Sequence, residues 1–304
     1  MSTATSIEWT ETTWNPTTGC DRISPGCDRC YALTLAARLK AMGQAKYHAD
    51  GDPRTSGPGF GVALHPDALV EPLGWRKPRK VFVDSMADVL HARVPTDFVA
   101  QVWAVMALTP QHVYQVLTKR PERYAKVLDG PCSCGGGHRP GRHFRSLAQD
   151  HTRRLRPGCE VDLMGTWPLP NVWLGTSIEN DDYVGRADAL RAAPAAVRFL
   201  SLEPLLGPLP SLDLSGIDWV IVGGESGPGH RPLDLDWVRD LRDRCVELGI
   251  PLFFKQVGGR TPKAGGRLLD GRTWDQFPTP GAQTLASSGL SGQAVVGLRA
   301  ETGS

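Results

Sequence analysis

The sequence lacks long hydrophobic runs and has almost no excess charge of either sign. No apolar stretch approaches the roughly 18 residues that a membrane-spanning helix needs. Residues 1–6 contain no charged segment that leads into an apolar one, as a secretory leader would. The formal net charge of +2 at pH 7 is too small to indicate a nucleic-acid partner by itself. These absences predict a cytoplasmic protein that does not contact a membrane.

Cysteine is scarce, and its number is odd. The chain has seven cysteines, most of them in tight groups, so a fully paired disulfide framework is excluded. Grouped cysteines in a chain without a secretory leader are more typical of metal ligation. The hydrophobic content of 40% and the charged content of 22% are ordinary for soluble domains, so disorder is not expected for most of the chain.

Short apolar runs rich in β-branched and aromatic residues alternate with stretches of helical periodicity. Six such runs occupy residues 81–83, 113–117, 172–174, 197–200, 219–222 and 252–254, and a further strand is expected near residues 13–15. Between them, Phe98, Val102, Val105 and Met106 follow one face of a helix. This repetition predicts an α/β fold, a partial (β/α)6-7 TIM-like barrel, with an open doubly wound sheet as the alternative.

Two segments depart from the repeat. Residues 131–168 are too long for a simple connection and are rich in cysteine, histidine and arginine, which predicts an insertion within a barrel that spans residues 1–258. Residues 259–304 are rich in Gly, Ser, Thr and Pro and predict a loosely ordered tail, with Trp274 and Phe277 as its few large apolar residues.

Three cysteines lie on a loop punctuated by glycine and proline. Cys20, Cys27 and Cys30 have the spacing C-x6-C-x2-C. No further Cys or His follows until His48, beyond the usual ligand spacing of a zinc knuckle. Three thiolates can bind three irons of a [4Fe-4S] cluster and leave the fourth iron open to a small molecule. We therefore expect a cluster, with zinc and free thiols as the alternatives.

The sequence resembles the phage and bacterial three-cysteine-motif proteins, whose cysteine loop looks like that of the radical S-adenosylmethionine superfamily. The resemblance covers residues 6–260. Besides the cysteine loop, it rests on the segments at residues 7–10, 14–16, 117–123, 173–180, 201–207 and 222–227. Most radical enzymes have C-x3-C-x2-C and an aromatic residue before the last cysteine, whereas Arg29 holds that position here. The resemblance implies a [4Fe-4S] cluster, S-adenosylmethionine and an electron donor.

Polar residues follow most of the predicted strands, and the carboxyl ends of parallel strands meet at one mouth. S-adenosylmethionine presents an ammonium, a carboxylate and hydroxyl groups, so its site needs charges of both signs. The catalytic candidates are Lys119, Glu203 and Glu225. The candidates for cofactor binding are Asp84, Ser85, Thr118, Ser177, Glu179, Ser201, Gly223, Gly224, Ser226 and Lys255. The Gly-Gly-Glu segment at residues 223–225 resembles the one that contacts the cofactor's ammonium in radical enzymes.

The predicted insertion contains a second set of metal-ligand types. Cys132, Cys134, Cys159 and either His138 or His143 have a spacing that suits a zinc site. Six arginines between residues 139 and 156 form a basic patch with Asp150 as their opposing charge. Such a patch beside a redox pocket suggests DNA or RNA as a substrate or partner, with a solvated loop as the alternative.

Together these features predict a radical S-adenosylmethionine-type enzyme that cleaves its cofactor reductively and acts on an unknown substrate, such as a nucleobase or nucleic acid. One alternative is a non-catalytic iron–sulfur or zinc protein that binds nucleic acid. A zinc hydrolase or zinc-binding module is a second alternative. Iron content and cleavage of S-adenosylmethionine distinguish the three.

Overall fold

A computed structural model describes residues 5–47, 60–132, 137–261 and 263–279. In this part of the chain, seven parallel strands form one curled sheet, a half-barrel. In their order across the sheet, the strands are β1 (Thr12–Trp14), β4 (Lys80–Val83), β5 (Val113–Thr118), β6 (Val172–Ser177), β7 (Val197–Leu202), β8 (Trp219–Gly223) and β9 (Leu252–Gln256). Two short strands, β2 (Thr17–Thr18) and β3 (Ala63–Leu64), form a separate antiparallel ribbon.

Each strand of the sheet neighbours the next one along the chain, as the βα repetition predicts. β1 and β9 lie at opposite edges and do not pair with each other, so the described sheet stays open. The six strands expected between residues 81 and 254 and the strand near residues 13–15 are all present. Sequential order also contradicts the doubly wound alternative, in which the strand order reverses at a switch point.

The helices that connect the strands are α1 (Tyr31–Ala41), α2 (Pro66–Leu69), α3 (Thr96–Ala107), α4 (Glu122–Leu128), α5 (Arg142–Leu155), α6 (Gly185–Arg191) and α7 (Leu235–Leu248). Short 3₁₀ helices occupy Pro25–Cys27, Glu71–Gly74 and Asp181–Tyr183. Among the described residues, no helix is long and apolar enough to cross a membrane.

Alternate side chains on each strand pack into two different clusters. Val81 and Val83 of β4 belong to the large core that includes the helices, whereas Phe82 belongs to a second cluster on the other face. This second cluster is mostly aromatic and contains Trp9, Trp173, Phe199, Trp219 and Phe253. Successive side chains on a strand point to opposite faces of the sheet, and this alternation separates the two clusters. The aromatic cluster fills the inner face of the sheet and leaves its carboxyl edge to polar side chains.

The segment predicted as an insertion is part of the connection between β5 and β6. Its helix α5 packs on α3 through Phe144 and Ala148, and His151 lies 2.8 Å from Asp97 of α3. Helix α5 is therefore supported by the fold, because the apolar side of residues 142–155 completes the helix layer.

The first part of the predicted tail also packs on the fold. Leu269 is fully buried and Trp274 is 7% exposed, and both belong to the large core. Phe277 stacks near Trp219, with ring centroids 5.1 Å apart. The large apolar residues thus order this segment as far as residue 279, whereas residues 280–304 lie outside the described part.

Candidate metal centre

The cysteine loop connects β2 to α1 at the carboxyl edge of the sheet. Gly19 has a φ of +85°, and a Cβ there would lie 2.2 Å from the carbonyl oxygen of Gly61, so only glycine fits before Cys20. Cys27 ends a 3₁₀ helix, and Cys30 is the N-cap residue of α1. Local structure thus places each of the three cysteines at a defined point of the loop.

Two of the three cysteines, Cys20 and Cys30, pack in an apolar recess. Ala32, Ala36, Phe60 and Met86 form a buried cluster against which Cys20 and Cys30 pack. The sulfurs of Cys20, Cys27 and Cys30 do not all lie within 4.8 Å of one another. Thiolates on one tetrahedral zinc ion would be about 3.8 Å apart, given the Zn–S bond length. Ligands of different irons in one cluster lie further apart.

Burial dominates the protonation of the thiols. It raises the pKa of Cys20 to about 12, with a smaller contribution from Asp88 in the same direction. Burial also raises the pKa of Cys30, and Cys27 adds to the increase at both Cys20 and Cys30. Cys27 is therefore close enough to both thiols to influence them. A metal that binds here must displace thiol protons, as in other thiolate sites.

A buried charged network supports Cys20. Arg120 Nη1 donates to Cys20 Sγ over 3.3 Å and to Asp88 Oδ2 over 2.9 Å. The hydroxyl of Thr118 donates to the carboxylate of Asp88 at 2.8 Å. Thr118, predicted to bind cofactor, instead anchors Asp88, and this side-chain arrangement holds a cation against the first cysteine.

Glu179 attaches the cysteine loop to the sheet. It is completely buried. Its Oε1 accepts a hydrogen bond from Ser24 Oγ at 2.7 Å and is also contacted by Lys119 Nζ, and its Oε2 accepts from Arg186 Nη1 at 3.0 Å. Burial alone would raise the pKa of Glu179, but Lys119, Ser24 and Arg186 outweigh it and lower the pKa. Because no surface of Glu179 is exposed, its predicted contact with a cofactor is not supported.

Close packing on Glu179 also explains a glycine within the cysteine loop. A Cβ at Gly26 would lie 2.6 Å from Glu179 Oε1 and 2.7 Å from its Cγ. These distances are shorter than side chains tolerate, so the backbone of the loop reaches the carboxylate only because residue 26 has no side chain.

Glu225 has a similar positioning role. Arg231 donates to it from its backbone nitrogen at 2.8 Å and from Nε at 3.0 Å, and Arg231 Nη2 contacts its Oε1. Arg29 lies 3.6 Å away, and Arg231 also donates to the carbonyl of Pro25 at 3.1 Å. Burial opposes these partners, but together they lower the pKa of Glu225. Two arginines therefore pair with this carboxylate, and its predicted contact with an ammonium group stays a prediction.

Glu203 and Lys255 form the more accessible ion pair of the mouth. Lys255 Nζ lies 3.1 Å from Glu203 Oε1, and Ser201 Oγ donates to Glu203 Oε2 over 3.3 Å. The side chain of Lys255 is 23% exposed and that of Glu203 is 14% exposed, so solutes reach both. Gly223 leaves room for this carboxylate, because a Cβ there would lie 2.7 Å from Glu203 Oε1 and would force the side chain of Glu203 to move.

Tyr31 connects this ion pair with the cysteine loop. It directly follows Cys30, and its hydroxyl donates to the carbonyl of Ser85 at 2.5 Å. Surrounding protein atoms, and then the charges of Cys30 and Glu203, raise the pKa of Tyr31. The residue as a whole nevertheless remains 54% exposed, so part of its side chain faces solvent.

The remaining strand-end candidates mostly bind the protein itself. Asp84 is buried and holds the ribbon strand β2 by accepting from the backbone nitrogen of Thr17 at 3.1 Å and from its hydroxyl at 2.5 Å. Burial raises the pKa of Asp84 to about 7. Ser85 Oγ donates to Asn15 Oδ1 at 3.1 Å. Asp84 is thus directed to the ribbon, which does not support its predicted contact with cofactor.

Three further candidates lie at the carboxyl edge of the sheet, two of them after β8 and one at the end of β6. Ser226 accepts from Gln256 Nε2 at 2.7 Å, and Gly224 lies so close to Val257 that a Cβ would be 1.9 Å from its carbonyl oxygen. Ser177 is buried at the end of β6, and its carbonyl accepts from Arg186 at 2.8 Å. The glycine therefore serves backbone packing.

The structure brings together only part of the predicted zinc set. One ligand atom from each of Cys132, His138 and His143 lies within 4.8 Å of the others. Cys159 is not in this group, and Cys134 lies outside the described residues. Both histidines therefore take part in the grouping, in contrast to the expected choice between them.

The arginines of the predicted basic patch lie on and around α5. Arg139, Arg142, Arg153, Arg154 and Arg156 are exposed, whereas Arg145 is half-buried and donates to the carbonyl of Gly141. Arg153 pairs with Asp150 at 3.1 Å. The patch is therefore a helix surface that faces solvent, supported from beneath by α3.

Several residues of the site were not predicted from the sequence. Asp88 and Arg120 lie beyond the ends of β4 and β5, so the strand-end argument would have found them had it extended a few residues further. Ser24 and Arg231 lie on loops, and their contacts depend on how distant segments meet. No local sequence signal indicates these two.

The fold and site define a class of protein, an α/β half-barrel with a three-cysteine loop at the carboxyl edge of its sheet. The chain belongs to the family described as a protein family of unknown function, DUF5131, whose family model matches residues 4–278. No curated protein and no solved structure gives a significant match to the chain.

Proposed function

We propose that this protein is a radical S-adenosylmethionine-type enzyme on a partial TIM-like barrel, with a [4Fe-4S] cluster held by Cys20, Cys27 and Cys30. One observation carries the proposal: Cys20 and Cys30 pack in an apolar recess, and Tyr31, which follows Cys30, is close enough to the accessible Glu203–Lys255 pair for the charge of Glu203 to affect its pKa. Ligand sites of parallel α/β folds lie at this edge. The three-cysteine resemblance supports the same cofactor pair.

The residues present fit such a cluster. The sulfurs are too dispersed for one ion, and the recess around Ala36, Phe60 and Met86 provides the low-polarity surroundings that favour burial of a cluster. Arg120 places a cation against Cys20 and would offset the negative charge of the thiolates. Glu179 and Arg231 hold the backbone of the loop in place through Ser24 and Pro25.

The ion pair of Glu203 and Lys255 suits the zwitterionic amino-acid part of S-adenosylmethionine. Lys255 would bind its carboxylate and Glu203 its ammonium, with Ser201 orienting Glu203. When bound, the cluster supplies the electron, delivered by an external donor, that cleaves a carbon–sulfur bond of S-adenosylmethionine. Lys119 positions Glu179 and hence the cysteine loop, rather than acting as a catalytic residue. The substrate is proposed to be a nucleobase or nucleic acid.

The test is reductive cleavage of S-adenosylmethionine by anaerobically reconstituted protein. We expect 5′-deoxyadenosine from the wild type and none above background from Cys30→Ala. Lys255→Ala should weaken S-adenosylmethionine binding at least about tenfold, because a charge-assisted contact is lost. Lys126→Ala, at an exposed position in the last turn of α4, is the matched control. Wild-type protein that carries a full cluster but yields no 5′-deoxyadenosine would contradict the enzyme proposal.

A second candidate is a non-catalytic protein that binds DNA or RNA, and the exposed arginines around α5 favour it. Arg153→Ala combined with Arg154→Ala should weaken nucleic-acid binding and reduce the slope of log affinity against log salt, because fewer phosphate contacts release fewer counterions. An unchanged salt slope would exclude this surface as the nucleic-acid interface. The zinc hydrolase alternative receives no specific support from the dispersed sulfurs.

A further inference from the structure

A second group of metal-ligand side chains lies beyond the three-cysteine loop, on the connection between β5 and β6. We propose that Cys132, His138 and His143 form a separate site for a thiophilic divalent ion, with zinc as the best match. The sulfur of Cys132 lies 3.5 Å from Nδ1 of His138, and the rings of His138 and His143 have centroids 5.1 Å apart. One thiolate and two imidazoles are donors that zinc prefers.

The backbone explains why these three side chains meet. A hydrogen bond from Gly141 N to the carbonyl of Gly130, at 3.2 Å, joins the described segment that carries Cys132 to the one that carries His138. Gly141 has a φ of +72°, and a Cβ there would lie 2.0 Å from Asp129 Oδ1, so this junction requires glycine. The junction directly precedes α5, which carries His143.

His143 contributes a rigid ligand because it lies in the first turn of α5. This helix is anchored on the core through Phe144 and Ala148. Further along it, His151 of α5 lies 2.8 Å from Asp97 of α3 and adds a second attachment. The hydrogen bond between Gly141 and Gly130 and the packing of α5 limit the motion of the segments that carry the three donors, which lowers the cost of assembling a site.

The separation of the donor atoms suits one ion. All three lie within 4.8 Å of one another, whereas the sulfurs of Cys20, Cys27 and Cys30 do not. Zinc bonds of about 2.0–2.3 Å place tetrahedral ligand atoms roughly 3.3–3.8 Å apart, so only small side-chain adjustments are needed. The thiol of Cys132 would lose its proton on binding.

The site also has a route for entry and for a fourth ligand. An open cavity of about 520 Å³ is lined by His138, Arg139, Arg142 and Met164, so His138 borders solvent-accessible space. Water or another donor can therefore complete a tetrahedron from this side. The ion would connect the loop to the helix that carries most of the exposed arginines, which makes it a structural site for that surface.

The experiment uses full-length protein in which Cys20, Cys27 and Cys30 are replaced by serine, so that the rival thiols are absent. Titration of this metal-free protein with Co²⁺ should give the visible bands of a tetrahedral ion, with a thiolate charge-transfer band and about one equivalent bound. Zn²⁺ should displace the Co²⁺. Absence of these bands would overturn the proposal, as would binding that Zn²⁺ does not displace.

Single variants in that background assign the ligands. Cys132→Ser should lower the charge-transfer band and weaken Co²⁺ binding at least about tenfold, and His143→Ala should weaken binding by a similar factor. Cys159→Ser is the matched control and should change neither quantity, because Cys159 lies outside the group. A Cys132→Ser protein that binds Co²⁺ like its parent would overturn the assignment, and so would loss of binding in Cys159→Ser.

A gain-of-signal variant guards against simple misfolding. His138→Cys keeps three protein donors and adds a thiolate, so the bound Co²⁺ should remain tetrahedral and its charge-transfer band should grow. An unchanged band in a folded His138→Cys protein would show that residue 138 does not contact the ion. The three-serine background also separates this test from the proposed cluster, because its outcome does not depend on iron.

Discussion

The buried carboxylate of Glu179 provides the sharpest test of how the cysteine loop is held. Glu179→Gln retains the shape of the side chain but removes its charge, leaving Lys119 and Arg186 without their shared partner. Breaking a buried ion pair from one side costs about 3–5 kcal/mol. The side chain of Lys119 is 20% exposed and can turn towards water, so we expect a loss of about 3 kcal/mol, at the lower end of that range.

Two assays measure this loss. Denaturant unfolding of the metal-free protein gives the global free energy, and the reaction rate of Cys27 with a thiol reagent reports on local opening. If the whole loss of about 3 kcal/mol lowers the free energy of local opening of the cysteine loop, Cys27 should react faster by a factor on the order of 100. Hydrogen exchange should accelerate in residues 20–30 more than in β7.

Glu247→Gln is the matched control because Glu247 is exposed on α7. It should alter the unfolding free energy by less than about 0.5 kcal/mol and leave labelling of Cys27 unchanged. Equal stability and equal labelling of Glu179→Gln and wild type would refute the anchoring role of Glu179.

Three other predictions address the same architecture. Gly26→Ala should also accelerate labelling of Cys27, because its Cβ would lie 2.6 Å from Glu179 Oε1; labelling at the wild-type rate would contradict this close contact. The raised pKa of Asp84, about 7, means that the folded protein holds the proton more tightly than the unfolded chain. Stability from protonated Asp84 is therefore present below about pH 4 and is lost as the pH rises through about 7, with a slope of up to about 1.4 kcal/mol per pH unit. Asp84→Asn should remove this slope from unfolding free energies measured between pH 4 and 8, and an unchanged slope would oppose the assignment. Trp274→Ala should destabilise the protein by about 3–5 kcal/mol, and Leu268→Ala, at a residue 58% exposed, by less than about 0.5 kcal/mol; equal unfolding free energies for these two variants would show that Trp274 does not complete the core.

The strand positions could be predicted from the sequence because buried parallel strands have a strong local signal. Runs such as residues 219–222 are apolar throughout and end at polar residues, and the structure has β8 at Trp219–Gly223. The packing of residues 142–155 on the core was less evident from the sequence, because the many arginines of this segment mask the apolar side formed by Phe144 and Ala148. Loop length alone could not show that this helix completes the core.

The site was predicted less completely than the fold. Strand-end reasoning ranked Glu203 and Glu225 first and also named Glu179 and Lys255, but it did not foresee the cations that pair with Glu179 and Glu225. Whether a carboxylate is free or neutralised depends on cations that arrive from other segments, such as Arg186 and Arg231. Such long-range pairing leaves no periodic or spacing signal in the sequence.

The most direct measurement is the iron and sulfide content of anaerobically reconstituted protein, combined with electron paramagnetic resonance of the reduced sample. The account predicts about four irons and four sulfides per chain, absent from a variant with Cys20, Cys27 and Cys30 replaced by serine. It also predicts a signal that changes when S-adenosylmethionine is added, because one iron has an open position. Zinc in place of iron, or a four-iron signal that is insensitive to S-adenosylmethionine, would contradict it.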